Sequence, residues 1–377
     1  MKVALVHDYL KEVGGAEKVL MALKEIWPEA PVFTAYKFPK YWGEYRAILE
    51  SWDIRESWGG YLPWADKLLS YYTIISPLFF KYLDLSSYDV VIISATGGYF
   101  PNGIKVGSGT KIITYCHTPP RFLYGYPTAR QERNKWYFRP ISLIVDHVLR
   151  MVDFKWAQRP GVFVANSKNV ANRIRKFYRR EARVVYPPIT PPSPPLNLRG
   201  ENDYGDYYLI VSRIVGSKNI ELAVMAANKY KFKLKVAGRP IGSAGEKIAS
   251  EIKGPTVEYL GEVTEEQKQE LLAGAKGFLA LESESDFGMT TVEPMMYGTP
   301  AIAFRNGGYL ETVVDPSTGS GRATGIFFDE LTPEGLWKAI KEARGVEWDK
   351  TEIRKWAGKF SKERFKNDMV ELVKGYV

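Results

Sequence analysis

The stretch Glu282-Ser-Glu-Ser-Asp-Phe-Gly-Met-Thr-Thr-Val-Glu-Pro-Met-Met-Tyr-Gly-Thr-Pro300, continuing as Ala301-Ile-Ala-Phe-Arg-Asn-Gly-Gly-Tyr-Leu-Glu-Thr-Val313, reads as two strand–loop–helix units in tandem. Gly277–Leu281 is a short apolar strand that opens into an acidic, glycine-containing loop, and a helix carrying Glu293 follows. Ala301–Phe304 is a second strand, opening into Gly307-Gly308 and a short helix with Glu311. Strands that alternate with helices argue for parallel sheets. Loops at the carboxyl ends of such strands are where open α/β sheets take ligands. The amide N–H groups that head the following helices favour phosphate.

The same alternation extends outward from this stretch. Downstream of it lies Gly325–Phe328; upstream lie Tyr207–Ser212, Lys233–Ala237 and Val257–Leu260. In the first half Val3–His7, Val32–Ala35, Val90–Ser94, Ile112–His117 and Val162–Asn166 read as strands, with helices at Ala16–Ile26 and Lys168–Tyr178. Between the halves runs Tyr186-Pro-Pro-Ile-Thr-Pro-Pro-Ser-Pro-Pro-Leu196. Proline lacks a backbone donor and fixes φ, so this segment is neither helix nor central strand. The chain therefore divides into a first domain over 1–186, a linker over 187–206 and a second domain over 207–355, with terminal helices over 356–377. Residues 52–85, rich in Trp, Tyr and Leu, show no clean period and are assigned only to the first domain.

Bulk properties narrow the class. A chain of 377 residues exceeds one ordinary core and suits two domains. With 45% apolar and 25% charged residues it is globular. No apolar run is long enough to span a bilayer, and the first residues read as a strand instead of a signal peptide. Cys116 is the single cysteine, which excludes an intramolecular disulfide and fits a reducing cytoplasm. Three histidines and one cysteine are too few for a zinc site, so no metal is expected.

The net charge of +9 implies anionic partners. The excess is local: residues 121–183 hold fifteen Lys/Arg against four acids, interleaved with Phe122, Tyr124, Tyr126, Trp136, Tyr137, Phe138, Phe154 and Trp156. No helix-turn-helix, RNP or zinc-finger signature accompanies them, so nucleic acid is not expected. Anionic lipid headgroups or a lipid-diphosphate acceptor fit better. A solvated basic face explains the charge equally well.

Several residues stand where chemistry would need them. Gly14 and Gly15 lie at the turn from the first strand into a helix, where glycines let backbone amides approach a diphosphate, although many tight turns look alike. Arg213 ends a strand and Lys218 follows five residues later before a helix; a guanidinium fork and a compact ammonium suit a negatively charged leaving group. His117 follows a strand and opens the Pro-rich segment Thr118-Pro119-Pro120-Arg121. A hydrogen-bonded histidine at a strand end is the plain alternative.

Taken in order, these motifs resemble the nucleotide-sugar site of retaining GT-B glycosyltransferases, group 1. In that family an acidic residue, seven intervening residues and a Glu precede Gly-x-Pro-Val/Ala-Ile and Gly-Gly-x-x-Glu. The resemblance implies a GT-B architecture of two doubly wound Rossmann-like domains with an interdomain cleft. It assigns Arg213 and Lys218 to the donor diphosphate, His117 to the donor sugar and Glu293 to the ribose. The amides of Phe287, Gly288 and Met289 would face the sugar and its phosphate. Gly238, at the place of the family's strand-end glycines, and Leu260, in the strand that holds the nucleobase, join the donor site, as do Gly14 and Gly15. Asn166, Ser167 and Arg173 resemble the family's segment at the end of the first domain, though a helix N-cap at Asn166 or Ser167 explains them as well.

One position departs from the pattern. Eight residues before Glu293 stands Ser285, where the family has its first Glu, with Glu284 and Asp286 on either side. Either a local bulge brings Glu284 inward, or Ser285 with Asp286 takes over the sugar contact.

The function so implied is retaining, metal-independent transfer of a hexose from a GDP- or UDP-sugar to a glycan or lipid-linked acceptor. Departing diphosphate would help to deprotonate the acceptor, and no glycosidase-like carboxylate pair is visible. Tyr115-Cys-His-Thr-Pro-Pro-Arg-Phe122 and Gly307-Gly-Tyr-Leu-Glu-Thr-Val313 are most similar to mannosyltransferases of polysaccharide and lipid-linked oligosaccharide assembly. GDP-mannose is therefore the first donor expectation and a UDP-sugar the second. The expected location is the cytoplasm, peripherally at the membrane. A UDP-sugar epimerase of the same fold would need carboxylates placed for proton chemistry. An inactive sugar-nucleotide-binding subunit would rest on Ser285 alone.

Overall fold

The computed structural model describes residues 1–128, 139–190, 205–318 and 322–377. Most of the Pro-rich linker (191–204) and Trp136, Tyr137 and Phe138 of the basic stretch lie outside the described residues. The chain forms two compact units. The first is built from Met1–Tyr126, Gln131–Pro188 and Lys362–Val377, the second chiefly from Ile189–Ser361.

The first unit holds a seven-stranded sheet of β1 (Val3–His7), β2 (Val32–Thr34), β3 (Ile54–Glu56), β4 (Val90–Ala95), β5 (Lys111–Cys116), β6 (Val162–Ala165) and β7 (Ala182–Val184). Its order is β3-β2-β1-β4-β5-β6-β7, every pair parallel. Central parallel strands are covered on both faces, which is why they are continuous apolar runs. The pleat sends alternate residues to opposite faces. Val3, Leu5, Val90 and Ile92 pack with Val19, Leu20 and Leu23 of the Gly15–Ile26 helix on one side. Ala4, Val6, Val91 and Ile93 pack with Phe79, Phe80 and Tyr36 on the other.

The Lys362–Tyr376 helix belongs to the first unit. It adds Phe365, Met369, Leu372 and Val373 to the face that carries Leu5 and Ile92, and Lys362 bonds Glu25 at 3.0 Å. The return to this unit begins at Lys362 and not at 356. Residues 356–361 stay with the second unit, where the Trp356 indole N–H donates to the Thr312 carbonyl at 2.8 Å and its ring packs on Phe360.

The second unit holds β8 (Tyr208–Val211), β9 (Leu234–Ala237), β10 (Val257–Gly261), β11 (Gly277–Ala280), β12 (Ala301–Phe304) and β13 (Gly325–Phe328). They form a parallel sheet in the order β10-β9-β8-β11-β12-β13. In both sheets the chain first extends to one side and then crosses to the other. The crossing falls between β1 and β4 in the first unit and between β8 and β11 in the second. Among the described residues no helix is long and apolar enough to cross a membrane.

Candidate functional site

In each unit sequence-marked residues lie at the carboxyl ends of strands at or next to its crossing point, where doubly wound sheets open a crevice, while Gly238 and Leu260 lie farther out, after β9 and in β10. In the second unit Arg213 follows β8 and is exposed, and Lys218 closes the turn after it. The Lys218 ammonium bonds the Glu282 carboxylate, just past β11, at 2.6 Å. The Asn219 side-chain amide donates to the Leu281 carbonyl at 2.8 Å and ties the same two strand ends together. Asn219 itself adopts a left-handed φ of 52°, a conformation asparagine tolerates better than most residues. Glu282 carries no mark in the sequence. Its partner lies 64 positions away, so only the crossing of the sheet reveals the pair.

The acidic loop shows what Ser285 does. Ser285 is 1% exposed, and its carbonyl accepts the Gly308 N–H at 2.9 Å. A Cβ on Gly307 would come within 2.4 Å of that carbonyl, and one on Gly308 within 2.3 Å of the Phe287 backbone. The two glycines thus let the loops after β11 and β12 lie backbone to backbone. The Ser285 hydroxyl bonds the buried Tyr309 phenol. Ser285 is thus buried and holds the loop, while Glu284 and Asp286 on either side of it are partly exposed. Phe287 is turned inward against Phe360, with ring centroids 5.3 Å apart. Gly288, at φ 91°, and Met289 head the Met289–Met295 helix that carries Glu293. Lys268 bonds Glu293 at 3.1 Å. Although burial alone would lower it, the Glu293 and Glu265 carboxylates hold the Lys268 ammonium above its usual range.

At the edge of this sheet Gly238 is committed to the fold. Its N–H donates to the Gly261 carbonyl at 2.7 Å, and its carbonyl accepts the Tyr259 hydroxyl at 2.9 Å. A Cβ there would fall 1.7 Å from the Ser212 carbonyl oxygen. Close backbone approach thus requires glycine at this position. Leu260 stands at a bulge: Tyr259 pairs with Val236 and Gly261 with Ala237, leaving Leu260 as the extra residue. A bulge leaves one residue out of the ladder.

In the first unit His117 follows β5 and is partly buried. Its Nε2 lies 2.9 Å from Ser94 Oγ, at the end of β4. Ser94 Oγ lies 3.1 Å from Nδ1 of the fully buried His7, which ends β1. His7 Nε2 lies 3.4 Å from Glu17 Oε1. Burial, reinforced by His7, pushes the His117 imidazole down to about 3 despite the opposing Glu17 carboxylate, so it is neutral. Burial would raise Glu17, but its bonds to His7 and to the Gly14 amide hold it below the usual range. The Gly14 N–H is thereby spent, donating to Glu17 Oε2 at 2.8 Å. Gly15 begins the helix beyond it.

The loop bearing His117 is buttressed. The Asn166 amide donates to the His117 carbonyl at 3.0 Å. Arg173, buried, bonds the Thr118 hydroxyl at 3.2 Å and lies over the Tyr126 ring. Ser167, not Asn166, caps the following helix by accepting the Val170 N–H at 3.0 Å. Asp8, buried beside His7, accepts the Thr96 hydroxyl at 2.6 Å and the Gly98 and Tyr99 amides, which fixes the loop after β4. Burial raises its carboxyl to about 6 against those bonds.

Sequence reasoning passes over His7, Asp8, Glu17, Ser94 and Glu282. The available signal is a polar residue at the carboxyl end of an otherwise apolar central strand, as in the Ser94 and His7 positions.

Comparison with known proteins bears on both units. Residues 199–351 match the family described as "Glycosyl transferases group 1". The alpha-1,3/1,6-mannosyltransferase ALG2 of Mus musculus is 24% identical, over 96% of this chain and 93% of its own. That of Dictyostelium discoideum is 25% identical over 85% of each. Among solved structures, Anabaena Alr3699/HepE in complex with UDP superposes with a TM-score of 0.69 at 14% identity, covering all of both chains. It shares the fold of two parallel-sheet α/β domains.

Proposed function

We propose that this chain, a group 1 glycosyltransferase of the GT-B fold with relatives among mannosyltransferases, transfers mannose from GDP-mannose to a hydroxyl of a glycan or lipid-linked acceptor with retention of configuration. The observation that carries the reading is the Lys218–Glu282 pair at the crossing point of the second sheet. There a cation is held in place before any leaving group arrives. As the bond from the anomeric carbon to the donor phosphate breaks, negative charge builds on the departing diphosphate. Lys218 and Arg213 neutralise it, and preorganised charges of this kind supply a large share of rate acceleration. The leaving oxygen takes the acceptor proton from the same face. Fixed cations do the work that a metal would otherwise do, so the reaction is metal-independent. Glu293 takes the ribose, and His117 in the first unit takes a sugar hydroxyl. Mannose is favoured because relatives matched over 85% and 93% of their own length are named mannosyltransferases, and GDP is the donor base that the sequence resemblance implies.

The location follows from the surface of the first unit, which we place against an anionic membrane. Lys81, Lys105, Lys155 and Arg159 line a groove of about 390 Å³. Exposed Leu78 and Tyr82 lie on or just after the short helix that ends at Lys81, and exposed Met151 and Phe154 lie on the helix that carries Lys155. Apolar side chains next to cations match an interface of acyl chains under phosphate headgroups.

Release of nucleoside diphosphate from GDP-mannose, UDP-glucose and UDP-galactose, without acceptor, tests the reading. Slow release from GDP-mannose that Lys218→Ala abolishes is the expected result. Absence of both release and binding with every donor would refute it.

A further inference from the structure

Glu17, His7, Ser94 and His117 form one hydrogen-bonded file across the carboxyl ends of β1, β4 and β5, with contacts of 3.4, 3.1 and 2.9 Å. His7 and Ser94 are fully buried in the middle of the file, and Glu17 and His117 are partly buried at its ends. Proton inventory restricts what the file can be. A carboxylate only accepts, so His7 Nε2 must carry a proton toward Glu17. The Ser94 hydroxyl has a single proton and lies within reach of two ring nitrogens.

Two arrangements satisfy every member. If His7 is neutral, its bare Nδ1 accepts the Ser94 proton, and Ser94 Oγ accepts Nε2–H of His117. His117 then keeps a bare Nδ1. If His7 is charged, its Nδ1–H donates to Ser94, which donates to His117 Nε2. The proton of His117 then sits on Nδ1. In both cases His117, being neutral, exists as one tautomer, and Nδ1 has no partner among the described residues. The face it offers is set three residues away, at Glu17.

We infer that Glu17, His7 and Ser94 are positioning residues that fix the ring orientation and tautomer of His117, and so decide whether its Nδ1 accepts from or donates to a sugar hydroxyl. The three residues lie in separate elements. Only the fold brings them together. The groups facing His7 are Glu17 from the Gly15–Ile26 helix, Ser94 from β4 and its own neighbour Asp8, whose carboxyl is occupied by Thr96, Gly98 and Tyr99. The catalytic part of this inference rests on the glycosyltransferase reading; the tautomer part does not.

The test uses imidazole ¹⁵N NMR on the whole chain, which has only three histidines, with donor kinetics in parallel. Wild-type His117 should show one protonated and one bare nitrogen. Ser94→Ala should show both tautomers in exchange, with kcat down about 10-fold or more and donor KM within about twofold, as for a positioning group that acts in the transition state. Ser94→Thr restores the hydroxyl and should recover the single tautomer. His7→Gln provides a second break in the file and should mix the tautomers as well. Unchanged His117 tautomers in both Ser94→Ala and His7→Gln would overturn the inference whatever the kinetics. So would full multiplication of the Ser94→Ala and His117→Ala losses in the double variant, since members of one file should not add. If no nucleotide sugar is bound or turned over while the tautomers respond as expected, the glycosyltransferase reading fails and the file stands.

Discussion

The two sheets share a topology and equip their crossing points in opposite ways. Between β1 and β4 lie groups sunk into the fold: His7, Asp8 and Ser94 have no exposed surface, and burial keeps His117 neutral. Between β8 and β11 stand an ammonium and a carboxylate with side chains 22% and 12% exposed, bonded at 2.6 Å. The topology supplies a crevice in each case. Depth decides what can occupy it, because a buried charge must be paired or given up. The first unit therefore offers directional hydrogen bonds and the second offers charge.

The sharpest way to break this contrast is to remove the charge. Lys218→Ala should lower turnover on the order of 100- to 1000-fold, the usual loss when one transition-state charge stabiliser is deleted. Steady-state kinetics with the preferred donor reads it, and a loss below about 10-fold would place the diphosphate elsewhere.

A second contrast concerns two glycines, Gly14 after β1 in the first unit and Gly238 after β9 in the second. Gly14→Ala should be nearly silent, since the new methyl meets only the flexible Glu17 carboxylate at 3.2 Å. Gly238→Ala should cost several kcal/mol, about 3 or more, because it combines φ 144° with a 1.7 Å approach to the Ser212 carbonyl. Denaturant unfolding of the two variants compares them directly.

Burial in the first unit also has a pH signature. Asp153, whose carboxyl accepts the Tyr124 and Tyr178 hydroxyls at 3.0 and 3.2 Å, is raised from 3.8 to about 7 by desolvation, and Asp8 to about 6. The native state therefore holds these protons more tightly than the unfolded chain. The stabilisation is complete below about pH 4 and is lost as pH rises through 6 to 7, each tenfold gain in proton affinity being worth about 1.4 kcal/mol. Asp153→Asn should flatten the decline of the thermal midpoint over that window; an unchanged slope would show that Asp153 does not titrate there.

The smallest expected effect is ionic. Raising salt from about 50 to 500 mM should weaken donor binding a few-fold through screening of Arg213 and Lys218. The His117 tautomer should not respond, because its file is buried. A tautomer that shifts with salt would remove the distinction between the units.

How much of this is legible in the sequence depends on depth as well. The central strands announce themselves as Val/Ile runs because both faces are covered; β1, β12 and β13 have the bounds expected of them. The three-residue edge strands β3 and β7 escape notice, since an edge strand needs no apolar face on its open side. Residues 52–85 show no period because their helices are short and irregularly buried. Phe79 and Phe80 are enclosed, whereas Tyr61 and Trp64 are 91% and 69% exposed. In the site, cations at strand ends can be found by spacing. The partner of Lys218, the inward turn of Ser285 and the capture of the Gly14 amide cannot, for each depends on a contact that only the folded loops create.

The first unit's core contains Phe365, Met369, Leu372 and Val373. During synthesis its seven strands emerge long before the helix that covers them. The face bearing Leu5, Ile92 and Tyr115 therefore stays open to chaperones, or to misassociation, while the entire second unit is being translated. The second unit ends at Ser361, ahead of that helix, and does not wait for it. The first unit can therefore complete its core only after the second has been synthesised.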